Sequence, residues 1–219
     1  LFQTAVKVEQ GLSDRIYRIT RDKLPEPEEV FSLLRFCREK AASDLINGRK
    51  AWIKRYLLVH LACGAGLRAS EIALARTGDL QEIDGDLLLW VRRSKGKRHH
   101  QVHLGDGLAA HIKEYLHLKL NTWGDKPAAD ELLLPGRKGR PYSISSLSIS
   151  FRRAVEECGL DCLFTLRNAR HFYAAFLLAK TRDLGYVQRQ LGHANQSMTV
   201  LYLDVTPHLD CREAQAAIW

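Results

Sequence analysis

Residues 79–104 constrain the fold of this chain more than any other stretch, because the pattern there changes from helical spacing to short strands and turns. Leu80-Gln81-Glu82-Ile83 runs into Asp84-Gly85-Asp86, a turn sequence, and then into Leu87-Leu88-Leu89-Trp90-Val91. Ser94-Lys95-Gly96-Lys97-Arg98 forms a second turn, from which Gln101-Val102-His103-Leu104 returns. Short apolar runs bounded by glycine-containing turns read as strands joined by hairpins. The expectation is a mostly α fold with a small antiparallel three-stranded β-sheet.

On either side the spacing is helical. Pro25-Glu26-Pro27-Glu28-Glu29 opens a helix, since proline suits a first turn and acids suit the positive end of the macrodipole. Val30, Leu33, Leu34 and Cys37 then recur on one face. A second helix is predicted from about 49 to 63, ended by Gly64 and Gly66, and a short one from Ala69 to Arg76. Helical pattern resumes from Asp106 to about Leu120. After the loop 121–129 come Leu132-Leu133-Leu134-Pro135 and the basic loop Gly136-Arg137-Lys138-Gly139-Arg140-Pro141. Further helices are predicted near 144–157, 165–180, 184–191, 195–203 and 208–217.

The 219 residues are 46% hydrophobic, enough for a sizeable core in one domain, and the net charge of +8 favours a polyanionic partner. The five cysteines (Cys37, Cys63, Cys158, Cys162, Cys211) contain no C-x-x-C pair, so they are expected to be reduced structural thiols in a cytoplasmic protein. No apolar run approaches membrane-spanning length, and no signal peptide is recognised. The chain begins at Leu1, and residues 1–22 are read as a linker or the tail of an upstream domain, ahead of one folded domain at 23–219.

The residues that carry chemistry come late in the chain. Arg170 precedes His193 by twenty-three positions and Tyr202 by thirty-two, joined by helical sequence. An arginine, a histidine and a phenol at this spacing can converge on one phosphate. Phosphodiester cleavage needs a nucleophile, charge stabilisation at phosphorus and a proton for the leaving oxygen. Tyr202 can attack, although a phenol titrates near ~10 and needs neighbouring cations. Arg68 and Arg170 can fork onto non-bridging oxygens, His193 can hydrogen-bond one, and Lys95 on its hairpin can protonate the leaving 5′-oxygen. Asp79, Glu82, Asp84 and Asp86 crowd a turn and read as solvated, so no two-metal site is expected. Taken singly, each residue has a duller role. Arg68 fits a local salt bridge to Glu71, Lys95 a solvated turn, His193 a helix end, and Tyr202 ordinary packing. Their order and spacing set the singular roles aside.

That set resembles the tyrosine recombinase (phage integrase) family, and within it the catalytic domain. Gly66-Leu67-Arg68-Ala69-Ser70-Glu71 matches the first arginine box, G-L-R-x-x-E. Ser94-Lys95-Gly96-Lys97 followed by Val102-His103-Leu104 resembles the lysine hairpin, and Arg170-His171-Phe172-Tyr173-Ala174 the second arginine box. Leu191-Gly192-His193, Thr199 and Tyr202 resemble the closing L-G-H…T-x-x-Y motif. The match spans roughly 25–205. The resemblance implies a catalytic domain over 23–219, with 1–22 a linker or the remnant of an N-terminal DNA-binding domain and 207–219 a C-terminal helix that either docks on a neighbouring protomer or folds back on its own domain. The resemblance implies Tyr202 as nucleophile, Arg68 and Arg170 as phosphate clamp, Lys95 as general acid and His193 as the third-box histidine. It implies a 3′-phosphotyrosine intermediate, with no metal, cofactor or ATP required. Partners implied are double-stranded DNA and further copies of this chain or a related recombinase assembled on it.

One position departs from the family. Three residues before the second arginine the family carries histidine in H-x-x-R, and here Arg167 stands in its place. Arginine can donate to a phosphate oxygen but cannot act as an acid or base near neutral pH. To His171, next after Arg170, the resemblance assigns a supporting role and not a catalytic one. Candidate phosphate contacts are Arg92, Arg93, Lys97, Arg98, Arg137, Lys138 and Arg140, together with Arg152 and Arg153; such contacts make affinity fall with salt. The leading expectation is a site-specific DNA recombinase or integrase. The alternatives are a type IB topoisomerase-like enzyme and a non-catalytic DNA-binding protein on the same scaffold.

Overall fold

The computed structural model describes residues 19–20, 24–92, 100–124, 128–161, 163–195, 197–203 and 205. Expectations for Arg93, Lys95, Lys97 and Arg98, for residues 1–18 and for the tail 207–219 lie outside these residues. The order is α1 (Pro27–Ile46), α2 (Ala51–Ala65), α3 (Ala69–Leu74), β1 (Leu80–Ile83), β2 (Asp86–Val91), β3 (His100–Leu104), α4 (Asp106–Asn121), α5 (Ile144–Glu157), α6 (Leu166–Thr181), α7 (Leu184–Leu191) and α8 (Ser197–Val200). The sheet is antiparallel in the order β1-β2-β3, with Leu80 opposite Leu89 and Leu89 opposite Val102. This is the mostly α fold with a small three-stranded sheet that the strand pattern predicted.

Several helices begin where the sequence offers a side-chain partner for backbone N–H groups at the first turn. The Glu29 carboxylate accepts from the backbone N–H of Glu26 (2.7 Å) ahead of α1. Ser143 Oγ accepts from Ser146 N–H ahead of α5, and Asp183 Oδ1 from Tyr186 N–H ahead of α7. α2 is buried on nearly all sides, from Leu57 to Ala65, and packs against α1, α4, α5 and α6. Each leucine or valine so enclosed contributes about 1.5–3 kcal/mol relative to exposure. Gly64 does not end α2 as predicted. It lies inside the helix, buried, because a glycine in a crowded central helix makes room for close packing without terminating it.

Gly66 is the true end of α2. It adopts a left-handed conformation (φ 60°), and a Cβ there would stand 2.4 Å from the Tyr173 ring of α6. Gly66→Ala is therefore expected to destabilise the fold by about 1–3 kcal/mol through overpacking and backbone strain. A lowered urea midpoint would register it; an unchanged midpoint would mean that α6 can move aside.

Two hydrophobic clusters share α6 as their common wall. Phe172 and Phe176 belong to the larger one, formed around α2 and the sheet. Tyr173, Ala174, Leu177 and Leu178 belong to a smaller one with Ile19, Leu24, Val187, Leu191, Tyr202 and Val205. The second cluster is what draws the late part of the chain onto α6.

Deep between α2 and α4, His60 Nδ1 and His111 Nδ1 lie 3.0 Å apart, with the Tyr56 ring stacked on both. One ring nitrogen must donate and the other accept, so the pair is neutral. Burial pushes His60 down to about 4, and burial together with the neighbouring His60 pushes His111 down to about 3. Unfolded imidazoles titrate near 6.5, so the unfolded chain binds these protons first. The stabilisation is present above that pH and is lost as pH falls from 6.5 towards about 3. The urea midpoint is expected to drop across this window, with a shallower drop for His111→Phe.

Burial similarly raises the thiols of Cys37 (to about 12) and Cys63, as suits inert packing residues. Among the described residues, no helix is long and apolar enough to cross a membrane.

Candidate active site

The left-handed turn at Gly66 directs the chain so that Leu67 is buried and Arg68 stands at the N-terminus of α3, its side chain 37% exposed. Glu71, one turn on, reaches back: its carboxylate accepts from Arg68 N–H (2.8 Å) and from Arg68 Nη1 (2.7 Å). The local salt bridge anticipated for Arg68 thus exists, and it aims the arginine instead of consuming it.

The same carboxylate serves Arg170. The side chain of Glu71 is 3% exposed, and Arg170 Nη1 lies 3.5 Å from its second oxygen. Arg170 also donates from Nη1 to the carbonyl of Gly66 (2.6 Å) and from Nη2 to that of Leu191 (2.7 Å). These carbonyls close the C-termini of α2 and α7, the negative ends of two helix dipoles. A buried guanidinium is tolerated because one carboxylate and two helix ends neutralise it. One arginine thereby fixes three elements around a single point.

His193 follows Gly192, whose left-handed conformation ends α7. Its Nδ1 lies 2.9 Å from Thr199 Oγ1, and Thr199 is fully buried in α8. The backbone on both sides is held as well, with Gln188 Nε2 donating to His193 O and His193 N–H to Gln188 O. Tyr202 sits in the turn after α8, its N–H donating to Thr199 O. Its ring is 2% exposed, and its hydroxyl is 2.9 Å from His171 Nδ1.

These side chains line one cavity of about 660 Å³, with Arg68, Arg167, Arg170, His171, His193 and Tyr202 as its polar wall and Ile19, Ile144, Leu166, Met198 and Leu201 among its apolar wall. Five of the six predicted catalytic residues, drawn from α3, α6, α7 and the turn after α8, are brought together. Lys95 lies outside the described residues. The strands of its hairpin are held near the cavity at one edge: His103 N–H donates to Gln190 Oε1 of α7 (3.0 Å), and the His100 ring fills the space over Gly192.

One expectation needs correction. Asp79 is 2% exposed, not solvated; its carboxylate accepts from Arg76 N–H and pairs with Arg92 at 2.7 Å. It closes the single-turn 3-10 helix Thr77–Asp79 that leads into β1, an enclosure that composition alone does not reveal. Arg92, a candidate phosphate contact, is Asp79's partner and keeps its side chain 54% exposed. Arg137, Lys138, Arg140 and Arg152 are exposed, whereas Arg153 pairs with Glu157 one turn on. Three residues hold more of the site together than the sequence indicated: Glu71, anticipated only as a local partner of Arg68, also reaches Arg170; Thr199, marked only by its motif, holds His193; and His171 meets Tyr202.

Comparison with known proteins agrees with this geometry. The chain is 30% identical over 210 residues to the tyrosine recombinase XerA of Thermococcus kodakarensis, covering 94% of this chain and 68% of that protein. It is 30% identical over 153 residues to the tyrosine recombinase XerC of Escherichia coli O127:H6, covering 70% of this chain and 48% of that protein. The chain thus spans about half to two thirds of the length of these relatives. The fold is that of the XerH site-specific recombinase in its post-cleavage complex with a palindromic difH substrate (TM-score 0.69, 22% identity, 84% of this chain and 50% of that one). It is also that of the XerA recombinase crystal structure (TM-score 0.68, 20% identity, 92% and 64%). The phage integrase family model matches residues 26–208, a span that contains Arg68, Arg170, His193 and Tyr202, and on this match the chain belongs to the phage integrase family.

Proposed function

We propose that this chain cuts and rejoins DNA strands site-specifically, through a 3′-phosphotyrosine on Tyr202, without metal or ATP. The observation that carries the proposal is the convergence of Arg68, Arg167, Arg170 and His193 on the cavity that holds the Tyr202 hydroxyl. A phosphodiester placed there meets arginine forks for its non-bridging oxygens, and Glu71 holds two of them in register. His193, held by Thr199, lines the same cavity. Tyr202 attacks phosphorus, the 5′-oxygen leaves with a proton from Lys95, and the phosphotyrosine stores the bond energy for resealing by a 5′-hydroxyl. Arg167 adds a fixed positive charge at the cavity and no proton chemistry. Double-stranded DNA is the substrate, and two or more copies act together on it, as strand exchange between two duplexes requires.

Covalent trapping tests this. Nicked suicide substrates, whose leaving strand diffuses away, are drawn from candidate sites in the flanking genome and incubated with the protein without added metal. A slow-migrating protein–DNA band on a denaturing gel is the expected result. Salt-sensitive binding without such a band, on a pool that holds the cognate site, would instead fit a DNA-binding protein that does not cut.

A further inference from the structure

A nucleophilic phenol needs somewhere to put its proton, and the cavity is poor in acceptors. Arg68, Arg167 and Arg170 keep their protons throughout the physiological range. Among the described residues lining the cavity, His171 and His193 are the groups that can accept a proton near neutral pH. His193 Nδ1 is engaged with Thr199 Oγ1. His171 Nδ1 stands 2.9 Å from the Tyr202 hydroxyl, with the two rings 5.8 Å apart and tilted by 47°. That distance lies within the range for direct proton transfer to a general base. Tyr202 is nearly excluded from solvent, so bulk water does not offer an equivalent path.

We propose that His171 is a catalytic residue, the proton acceptor for Tyr202 during strand cleavage. This rests on Tyr202 being the nucleophile. In cleavage, the phenol proton moves to Nδ1 of neutral His171 as the bond from the Tyr202 oxygen to phosphorus forms and the bond from phosphorus to the 5′-oxygen breaks. The leaving 5′-oxygen takes its proton separately, from the general acid. In resealing, the imidazolium returns its proton to the departing phenolate, and both residues regain their starting forms. The charged and titratable groups facing the pair across the cavity are Arg68, Arg167 and Arg170 with His193. The mechanism requires the tautomer with hydrogen on Nε2, so that the phenol donates and Nδ1 accepts.

His171→Asn places an amide near the position of Nδ1. It can keep a hydrogen bond to Tyr202 but cannot take its proton. The comparison uses a suicide substrate with a 5′-bridging phosphorothiolate at the cleavage site, whose sulfur leaves without protonation and so isolates the tyrosine side. Wild-type adduct formation is expected to rise with pH through the imidazole range and then level. The variant is expected to be slower by about 10²–10⁴-fold and to keep climbing with pH, a recovery that a merely structural defect would not show. Equal rates and equal profiles would overturn the proposal while leaving strand transfer by Tyr202 intact. A wild-type protein that binds the cognate DNA and forms no adduct would overturn both. Nitrogen NMR of the histidine-labelled free protein gives a readout independent of turnover. A pyridine-type Nδ1 on His171 at neutral pH is expected, and a protonated, pyrrole-type Nδ1 would overturn the assignment.

Discussion

Tyr202→Phe is expected to abolish covalent protein–DNA adducts entirely while leaving salt-sensitive DNA binding in place. The substitution removes one oxygen and keeps the ring, which packs with Leu177, Val187 and Leu191 in the second cluster. The lost contact to His171 costs about 0.5–1.5 kcal/mol at most, so the variant should remain folded. Neighbouring phenols are poor substitutes. Burial pushes the Tyr173 hydroxyl far above its usual range, and burial also raises that of Tyr186. Neither lines the cavity. The measurement pairs a denaturing gel with a native binding assay on the same substrates. An adduct that survives in the phenylalanine variant would assign the chemistry to another nucleophile.

Arg170→Ala is expected to destabilise the protein by about 3–5 kcal/mol, as breaking a buried ion pair does, and to eliminate cleavage with it. The variant leaves the carbonyls of Gly66 and Leu191 without this donor, and leaves the buried Glu71 carboxylate with Arg68 as its remaining guanidinium partner. It also unties the ends of α2 and α7, between which the phosphate would sit. Arg170→Lys separates the two effects. A lysine keeps the charge but cannot fork to two carbonyls and a phosphate from one planar group. Part of the stability should return, and the activity should not. Urea denaturation and adduct formation measured on both variants decide the matter. An alanine variant that unfolds at the wild-type urea concentration would show that the three-way tether contributes nothing to the fold.

Much of the architecture was legible beforehand. The helices at 144–157 and 184–191 were predicted with the bounds observed, because their apolar periodicity is clean and each begins at a capping serine or aspartate. The sheet followed from its two glycine turns. Other features were misjudged where burial overrides local preference. Gly64 reads as a helix end and is packed inside one. Asp79 reads as a solvated turn acid and is enclosed. The helix predicted at 195–203 is reduced to Ser197–Val200, with the chain turning at Leu201 so that Tyr202 can enter the second cluster.

The order of the arginine boxes, the histidine and Tyr202 is written in the chain, and with it the family and the candidate residues of the phosphate site. What the linear chain does not contain is how those side chains hold one another. Glu71 stands between Arg68 and Arg170, and Arg170 reaches a carbonyl 104 positions away. His171 meets a phenol 31 positions downstream. Such contacts depend on the rotation of α6 about its axis and on the packing of its two faces into separate clusters. Periodicity identifies which face is apolar, but only the assembled cores set that rotation, and it is that rotation that places the His171 ring beside the Tyr202 hydroxyl.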